Sequence, residues 1–196
     1  MAGSNAAVIA MGMQGDVVVL DTDINKLRSL DSLYHGRIAT LHSNKLTLED
    51  QVLGADLVIG TVLVPGASAP KLVSEDMVKS MKRGAVLVDV AIDQGGCFAT
   101  SRETTHSQPV YQRHDVLHYA VGNIPGAVPH TSTYALTNAT LRYAVSLASK
   151  GVSGAAEAHP ELAAGVNVVG DAVCHPAVAE SLGVDYVAPR EALAAV

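Results

Sequence analysis

The residues best suited to chemistry lie in Leu87–Phe98, which reads LVDVAIDQGGCF. A short apolar run ends at Asp89, and Asp93 follows just before two glycines. Adjacent glycines let the backbone come close to a ligand, and a carboxylate there can orient a water or an ammonium group, or relay a proton. The alternative is that Asp93 only starts a turn through its own side chain, as Asp commonly does. Both interpretations remain open, and Asp93 is a candidate catalytic residue.

A second acid, Asp21, ends the apolar run VVVLD. A carboxylate at the end of the second strand of an open α/β sheet can accept both ribose hydroxyls of an adenosine, and it would repel a 2′-phosphate. Asp21 therefore favours NAD over NADP, and the small residues Gly3, Ala6 and Ala7 allow the close backbone approach such a ligand needs. The competing interpretation is that Asp21 is the N-cap of the next helix.

Two further stretches have open interpretations. Asn123 follows an apolar run, so its amide could bond a nicotinamide or a substrate carbonyl, or it could simply form a turn. Thr61–Val73 (TVLVPGASAPKLV) is an irregular loop after a predicted strand, where ligands bind in open α/β folds. A plain surface loop explains the same residues.

Histidines and cysteines give no metal site. His114 and His118 are four residues apart, but His118 opens a predicted strand, which removes the helical face that such a pair needs. Cys97 has no general base near it in sequence, and a buried apolar thiol explains it better than a nucleophile. Cys97 and Cys174 lack zinc-type spacing, so we expect reduced thiols and a cytoplasmic protein.

Elements that would position these residues alternate between strands and helices. This alternation predicts βαβ units around a parallel sheet that is covered on both faces. After Pro129 the pattern becomes helical, and the turn residues of PGAVPH place a domain boundary near Gly126–His130. The predicted strands are 16–20, 37–41, 56–60, 85–90 and 117–121; the predicted helices are 4–13, 24–33, 46–53, 72–81, 131–151, 154–164 and 177–182.

Composition excludes several classes of partner. The 196 residues carry a net charge of −6 without a basic run, which argues against nucleic acid and against an anionic membrane surface. There is no Trp and only one Phe, so base-stacking platforms are not expected. The apolar runs are far shorter than the ~20 residues of a membrane-spanning helix.

Three long segments, DLVIGTVLVPGASAPKLV, VDVAIDQGGCF and TSTYALTNAT, resemble the alanine dehydrogenase and transhydrogenase NAD-binding family. The resemblance covers essentially the whole chain. The segments resemble alanine dehydrogenase more than the transhydrogenase NAD-binding subunit, whose corresponding loop generally lacks an Ile-Asp pair such as Ile92–Asp93. It implies an α/β fold: an incomplete Rossmann-type doubly wound parallel sheet, followed by C-terminal helices of the catalytic lobe. The implied domains are an NAD-binding domain at 1–129 and part of the catalytic domain at 130–196.

The resemblance also implies that this is the C-terminal portion of the family's polypeptide. The family's first lobe, with its substrate-binding Lys and Arg and its catalytic His, precedes this region. So does a first strand ending in Gly-Ala-Gly, of which only the last glycine corresponds to a residue here, Gly3. We therefore expect a sheet without its central strand, and either a complementing N-terminal lobe or a homo-oligomer, which is hexameric in the family.

The activity implied by the resemblance is NAD-dependent interconversion of L-alanine with pyruvate and ammonium, with Asp93 as the catalytic aspartate. Ser146 and Lys150 occupy the positions where some members bind magnesium, so no metal is expected. The alternatives are a non-catalytic NAD-binding or oligomerisation module and a transhydrogenase-type NAD-binding subunit. By position, the implied NAD contacts are Ala2, Asp21, Lys26, Ser43, Val62, Leu63, Val90, Ala91, Ile92, Asp93, Arg102, Val121, Gly122, Asn123 and Ile124.

Overall fold

The computed structural model describes residues 1–64 and 69–195. These residues form two compact units. The first contains residues 1–63 and 69–124, and the second contains residue 64 and residues 125–195.

The first unit is built on two sheets. In one, β1 (Val18–Asp21) pairs in parallel with β2 (Ala39–His42). In the other, the order is β3-β4-β6-β5. Its strands are β3 (Leu57–Gly60), β4 (Val86–Asp89), β5 (Val110–Arg113) and β6 (Val116–Tyr119). Among the described residues the two sheets are separate, as expected for a Rossmann-type sheet without its first strand.

Local side-chain chemistry sets where the helices of this unit begin. Asp23, Asn44 and Ser74 each accept a backbone N–H of the following helix, which satisfies donors that a first helical turn leaves free. The helices are α1 (Ala2–Gly12), α2 (Ile24–Tyr34), α3 (Lys45–Gly54) and α4 (Glu75–Ser80). The core of the unit is Val52, Ala69, Val73, Met77, Val78, Met81, Ala85, Leu87, Ala91, Cys97, Phe98 and Val116.

The predicted alternation of strands and helices is confirmed, with two corrections. The predicted helix 72–81 begins only at Glu75, because Ser74 caps it and the preceding residues pair with another loop. The sheet is not entirely parallel, because β5, which the sequence did not predict, runs antiparallel to β6. Its turn consists of His114 (φ 55°) and Asp115 (φ 59°), both left-handed, which is the geometry of a tight hairpin.

The second unit is mainly helical. Its helices are α5 (Pro129–Ala158), α6 (Pro160–Ala164), α7 (Pro176–Leu182) and α8 (Pro189–Ala194). Each begins with proline, whose fixed φ suits the first turn and whose missing N–H is not needed there.

The predicted helix 131–151 lies within α5, and α5 bends at Gly151, which has a non-helical φ of 70°. The predicted helix 154–164 is instead divided between α5 and α6, because His159, the C-cap of α5, has extended backbone before Pro160. A short antiparallel hairpin, β7 (Val168–Val169) with β8 (Ala172–Val173), follows α6. No helix in the described part of the chain is long and apolar enough to cross a membrane.

Candidate functional site

The carboxyl ends of β1 and β2 bring together three of the residues predicted to contact NAD. Asp21 Oδ2 lies 3.6 Å from Lys26 Nζ, and the backbone N–H of Ser43 donates to the carbonyl of Asp21 at 3.0 Å. The other carboxylate oxygen of Asp21 accepts the backbone N–H of Asp23 at 2.9 Å. The N-cap of α2 is Asp23, which accepts from Asn25 and Lys26, so the capping role considered for Asp21 belongs to its neighbour.

The first turn of α1 packs closely on the end of β3. A Cβ added to Gly3 would lie 2.6 Å from Thr61 Oγ1, so only glycine fits without a shift. Ala2 and Val62 are the chain neighbours of these two residues and belong to the same corner of the unit, and Leu63 beyond them is largely exposed. The Pro-Gly segment of the predicted loop falls on residues 65–68, outside the described residues.

Asp93 meets Asn123 at the carboxyl ends of β4 and β6. Asp93 lies in a single 3₁₀ turn, Ile92–Gln94, and its two carboxylate oxygens are 3.2 and 3.4 Å from the backbone nitrogen of Asn123, which donates to them. These contacts connect the loops that follow two different strands. In the alternative interpretation, the Asp93 side chain would instead have bonded to the backbone of its own turn. Asn123 itself has a left-handed φ of 54°, so it also fulfils the turn-forming interpretation. Its carbonyl lies 3.1 Å from His106 Nε2.

A buried carboxylate, Asp89, organises the loop that carries Asp93. Asp89 is 1% exposed and accepts the backbone N–H groups of Cys97 at 3.0 Å and Phe98 at 3.4 Å, and the hydroxyl of Ser101 at 2.5 Å. A Cβ on Gly96 would come within 2.6 Å of Asp89 Oδ2, so the glycine makes room for this carboxylate. In the sequence, Asp89 is recognisable only as the end of a strand. The one sequence feature that could have indicated its role is its position, after an apolar strand and before paired glycines.

Residues 69–73 support the same loop from the other side. The backbone N–H of Ala69 donates to Gln94 O at 2.9 Å, and that of Leu72 donates to Cys97 O at 2.8 Å. The ammonium of Lys71 donates to the carbonyl of Gly96 at 2.9 Å and also to that of Gly95. The bonds from Lys71 hold Gly95 and Gly96 in place through their backbone carbonyls. The role of Lys71 was not predicted, because the contact joins residues that are distant in the sequence.

Cys97 is buried, as predicted, but its surroundings are not wholly apolar. Its thiol lies 3.4 Å from an oxygen of Asp89, and burial together with the charge of Asp89 raises the pKa of Cys97 to about 12. The thiol therefore stays protonated and unreactive near neutral pH. A Cβ on Gly60 would collide with this sulfur, so Gly60 provides the space that the thiol occupies.

Arg102 and the two histidines have partners of their own. The Arg102 guanidinium lies 4.4 Å from the centre of the Tyr111 ring, so the structure places it on Tyr111. His114 pairs with Glu75 at 2.8 Å, whereas His118 is buried and lies 2.7 Å from the Thr100 hydroxyl. Across residues 1–64 and 69–195, no three His, Cys, Asp or Glu side chains are grouped so that they could hold a metal ion.

Parallel strands with glycine-bearing loops at their carboxyl ends define a Rossmann-type α/β domain. Residues 1–176 match the family model described as alanine dehydrogenase/PNT, C-terminal domain. The chain belongs to this family.

Similar proteins agree with this assignment. The chain is 53% identical over 193 residues to alanine dehydrogenase from Staphylococcus haemolyticus, covering 98% of this chain and 52% of that protein. It is 51% identical to alanine dehydrogenase 2 from Staphylococcus aureus, again covering 98% of this chain and 52% of the relative. The chain therefore spans about half the length of the curated relatives it matches.

Solved structures give the same result. A structure of L-alanine dehydrogenase superposes with a TM-score of 0.80 and 45% identity, over 92% of this chain and 50% of that one. A transhydrogenase from Sinorhizobium meliloti superposes with a TM-score of 0.58 and 27% identity, over 65% of this chain and 36% of that one.

Proposed function

We propose that this chain is the NAD-binding and C-terminal portion of an NAD-dependent L-alanine dehydrogenase. The reaction converts L-alanine, NAD⁺ and water into pyruvate, ammonium, NADH and a proton, and it is reversible. The observation that carries the proposal is the Asp93 carboxylate, held by the backbone N–H of Asn123 at the carboxyl ends of two parallel strands. This is the edge where ligands bind in open α/β sheets.

The residues of the first unit fit a dinucleotide. Asp21 accepts the ribose hydroxyls of the adenosine and disfavours a 2′-phosphate, while Lys26 and Ser43 flank it. The N-terminal turn of α1, which starts at Ala2 and packs Gly3 against Thr61, offers free N–H groups and a positive dipole end to the phosphates. NAD⁺ supplies the hydride acceptor. The remaining proposed contacts are Val62, Leu63, Val90, Ala91, Ile92, Val121, Gly122, Asn123 and Ile124, with Arg102 as a further one.

Asp93 performs the proton and water handling in this proposal. A carboxylate held by a backbone N–H keeps its position while still offering lone pairs to a water or to the substrate amine. In the alanine-oxidising direction it orients the water that hydrolyses the imine and stabilises the ammonium that leaves. The Asn123 backbone holds Asp93 beside the proposed nicotinamide position.

The proposed domains are residues 1–129 for NAD and 130–196 for the catalytic lobe. The rest of that lobe, with the groups that bind the alanine carboxylate, corresponds to the part of the relatives that this chain does not match. A complementing N-terminal lobe or a homo-oligomer of longer chains, acting in the cytoplasm, completes the proposed enzyme. The likeness to transhydrogenase supports a second candidate, a non-catalytic NAD-binding module.

Two measurements separate these candidates. Calorimetric titration of the chain should show binding of NAD⁺ and weaker binding of NADP⁺. The first half of the S. haemolyticus relative, added as a separate polypeptide, should give alanine-dependent NADH formation that neither part gives alone. Binding without such activity would favour the non-catalytic module, and absence of NAD⁺ binding even in the presence of the added first half would refute both candidates.

Asp93→Asn tests the catalytic assignment in the complemented enzyme. The change removes the charge and nearly keeps the shape, so kcat should fall by about 10²-fold or more, as for a positioned acid–base group. The Kd for NAD⁺ should change much less. A near-normal kcat would leave Asp93 only a structural role.

A further inference from the structure

A second carboxylate, Glu103, reaches the site over Gly122. A Cβ built on Gly122 would lie 2.1 Å from Glu103 Oε1 and 3.4 Å from Asp93 Oδ1. The two carboxylates therefore approach each other over the same point of the backbone, and the absence of a side chain at residue 122 is what admits Glu103.

The backbone fixes Glu103 at this place. Thr104, the next residue, donates its N–H to Ala120 O at 2.9 Å, and its carbonyl accepts the N–H of Gly122 at 3.2 Å. Thr104 and Val121 form a parallel bridge through these bonds. Glu103 is exposed, but its Cα is tied to the segment that carries the proposed nicotinamide contacts.

We propose that Glu103 is a further cofactor-site residue, which makes the site prefer the oxidised dinucleotide; this inference rests on the proposed NAD site. The nicotinamide ring carries a positive charge in NAD⁺ and none in NADH. A carboxylate near the ring stabilises the first form and gives the second no such gain. Asp93 contributes one negative charge beside Asn123, and Glu103 adds another.

The neighbouring polar groups His106 and Lys71 are bonded to backbone carbonyls. The side chain of His106 is directed to the carbonyl of Asn123, and the ammonium of Lys71 is bonded to the carbonyls of Gly95 and Gly96. The charge of Glu103 therefore acts as a separate, removable contribution to the preference between the two cofactor forms.

The expected size is modest because Glu103 faces solvent. We expect its removal to change the ratio of the Kd for NAD⁺ to the Kd for NADH by about three- to ten-fold at low ionic strength. The change should shrink in about 1 M salt, where the screening length falls to ~3 Å.

Calorimetric titration of the chain, complemented by the first half of the S. haemolyticus relative, with NAD⁺ and with NADH tests the proposal. Glu103→Gln keeps the shape and removes the charge, so the Kd for NAD⁺ should rise while that for NADH stays the same or falls. Glu49→Gln, an exposed change on α3, is the matched control and should leave the ratio unaltered. Equal changes for both cofactors in Glu103→Gln would overturn this inference alone. Failure of the unaltered, complemented protein to bind either cofactor would overturn the proposed function, and this inference with it.

Gly122→Ala provides a second test through the same contact. The added methyl group must displace the Glu103 carboxylate, which is the far end of a flexible side chain, so the Kd ratio should move in the same direction as in Glu103→Gln. In a Glu103→Ala background, Gly122→Ala should no longer change the ratio. A ratio effect of Gly122→Ala that persists in that background would show that the backbone of residue 122, and not Glu103, sets the preference.

Discussion

The two candidate carboxylate clusters of the first unit are built in opposite ways. At the end of β1, Asp21 pairs with Lys26 at 3.6 Å, and the lysine side chain is 65% exposed. At the end of β4, Asp89 is 1% exposed and its oxygens are satisfied by backbone N–H groups and a hydroxyl. The first cluster can bind or release a ligand with little effect on folding, whereas the second is part of the folded framework.

The difference follows from the cost of burying charge. A solvent-exposed ion pair contributes little to stability because water competes with it. A buried carboxylate is strongly unfavourable unless hydrogen bonds replace its water, which is why Asp89 needs Cys97, Phe98 and Ser101 around it. The comparison implies that changes at Asp21 alter binding and changes at Asp89 alter folding.

The largest effect should come from Asp89→Asn. Asp89 Oδ2 accepts the backbone N–H groups of Cys97 and Phe98. An amide NH₂ in that position is itself a donor, so it would leave these buried N–H groups without an acceptor. We expect the free energy of unfolding to fall by about 3 kcal/mol, in the range for breaking a buried charged hydrogen-bond network. Urea titration followed by circular dichroism measures this fall.

Asp50→Asn is the control for that experiment, since Asp50 is exposed on α3. Its free energy of unfolding should change by less than about 0.5 kcal/mol. If Asp89→Asn were as mild as Asp50→Asn, the Asp89 network would not be part of the framework and the contrast between the two clusters would fail.

Sequence patterns predicted the elements better than the contacts between them. The apolar runs ending at Asp21 and Asp89 are short, continuous and bounded by acids, so the hydrophobic pattern located β1 and β4. The sequence pattern did not predict strand β5, because VYQR is short and partly polar. The turn after it is formed by His-Asp, without the glycine that is usual in such turns.

The predicted site residues are a different case. Their places at strand ends, and then the resemblance, selected Asp93 and Asn123, and the structure brings those two together. Neither periodicity nor resemblance indicated that Asp89 binds the loop at residues 97–101, or that Glu103 covers Gly122. Such contacts join residues 8 to 19 positions apart, and the path of the folded backbone determines them.

A smaller effect within the four-stranded sheet concerns His118. Its Nδ1 lies 3.0 Å from the carbonyl of Val116, which only accepts, so Nδ1 carries the proton and Nε2 accepts from Thr100. Burial lowers the pKa of His118 below its ordinary value of 6.5. As the pH falls below that value, the unfolded chain takes up the proton first, so the stability contributed by neutral His118 is progressively lost toward its folded-state pKa.

Unfolding free energies at pH 7 and pH 5 measure this loss. In His118→Gln the titrating group is absent, so stability should fall less between the two pH values than in the unaltered chain. His42→Gln, at an exposed position on β2, should keep the full pH dependence. A His118→Gln chain with the same pH dependence as the unaltered one would contradict a buried neutral His118.

The smallest expected effect separates two neighbouring aspartates of the exposed cluster. Asp21→Ala should raise the Kd for NAD⁺ about three- to ten-fold and narrow the gap to NADP⁺, because it removes the acceptor for the ribose hydroxyls and the charge that repels a 2′-phosphate. The free energy of unfolding should fall by only about 0.5 kcal/mol, since the ion pair with Lys26 is largely exposed and one further hydrogen bond, from the backbone of Asp23, is lost. Asp23→Ala should do the reverse: it removes the N-cap of α2, lowers the free energy of unfolding by about 1 kcal/mol and leaves the preference between cofactors unaltered.

For both variants, calorimetric titration measures the Kd for NAD⁺ and for NADP⁺, and urea titration measures the free energy of unfolding. If Asp23→Ala changed cofactor preference as much as Asp21→Ala, the effect would come from the position of α2, and Asp21 would lose its assigned role in selecting NAD.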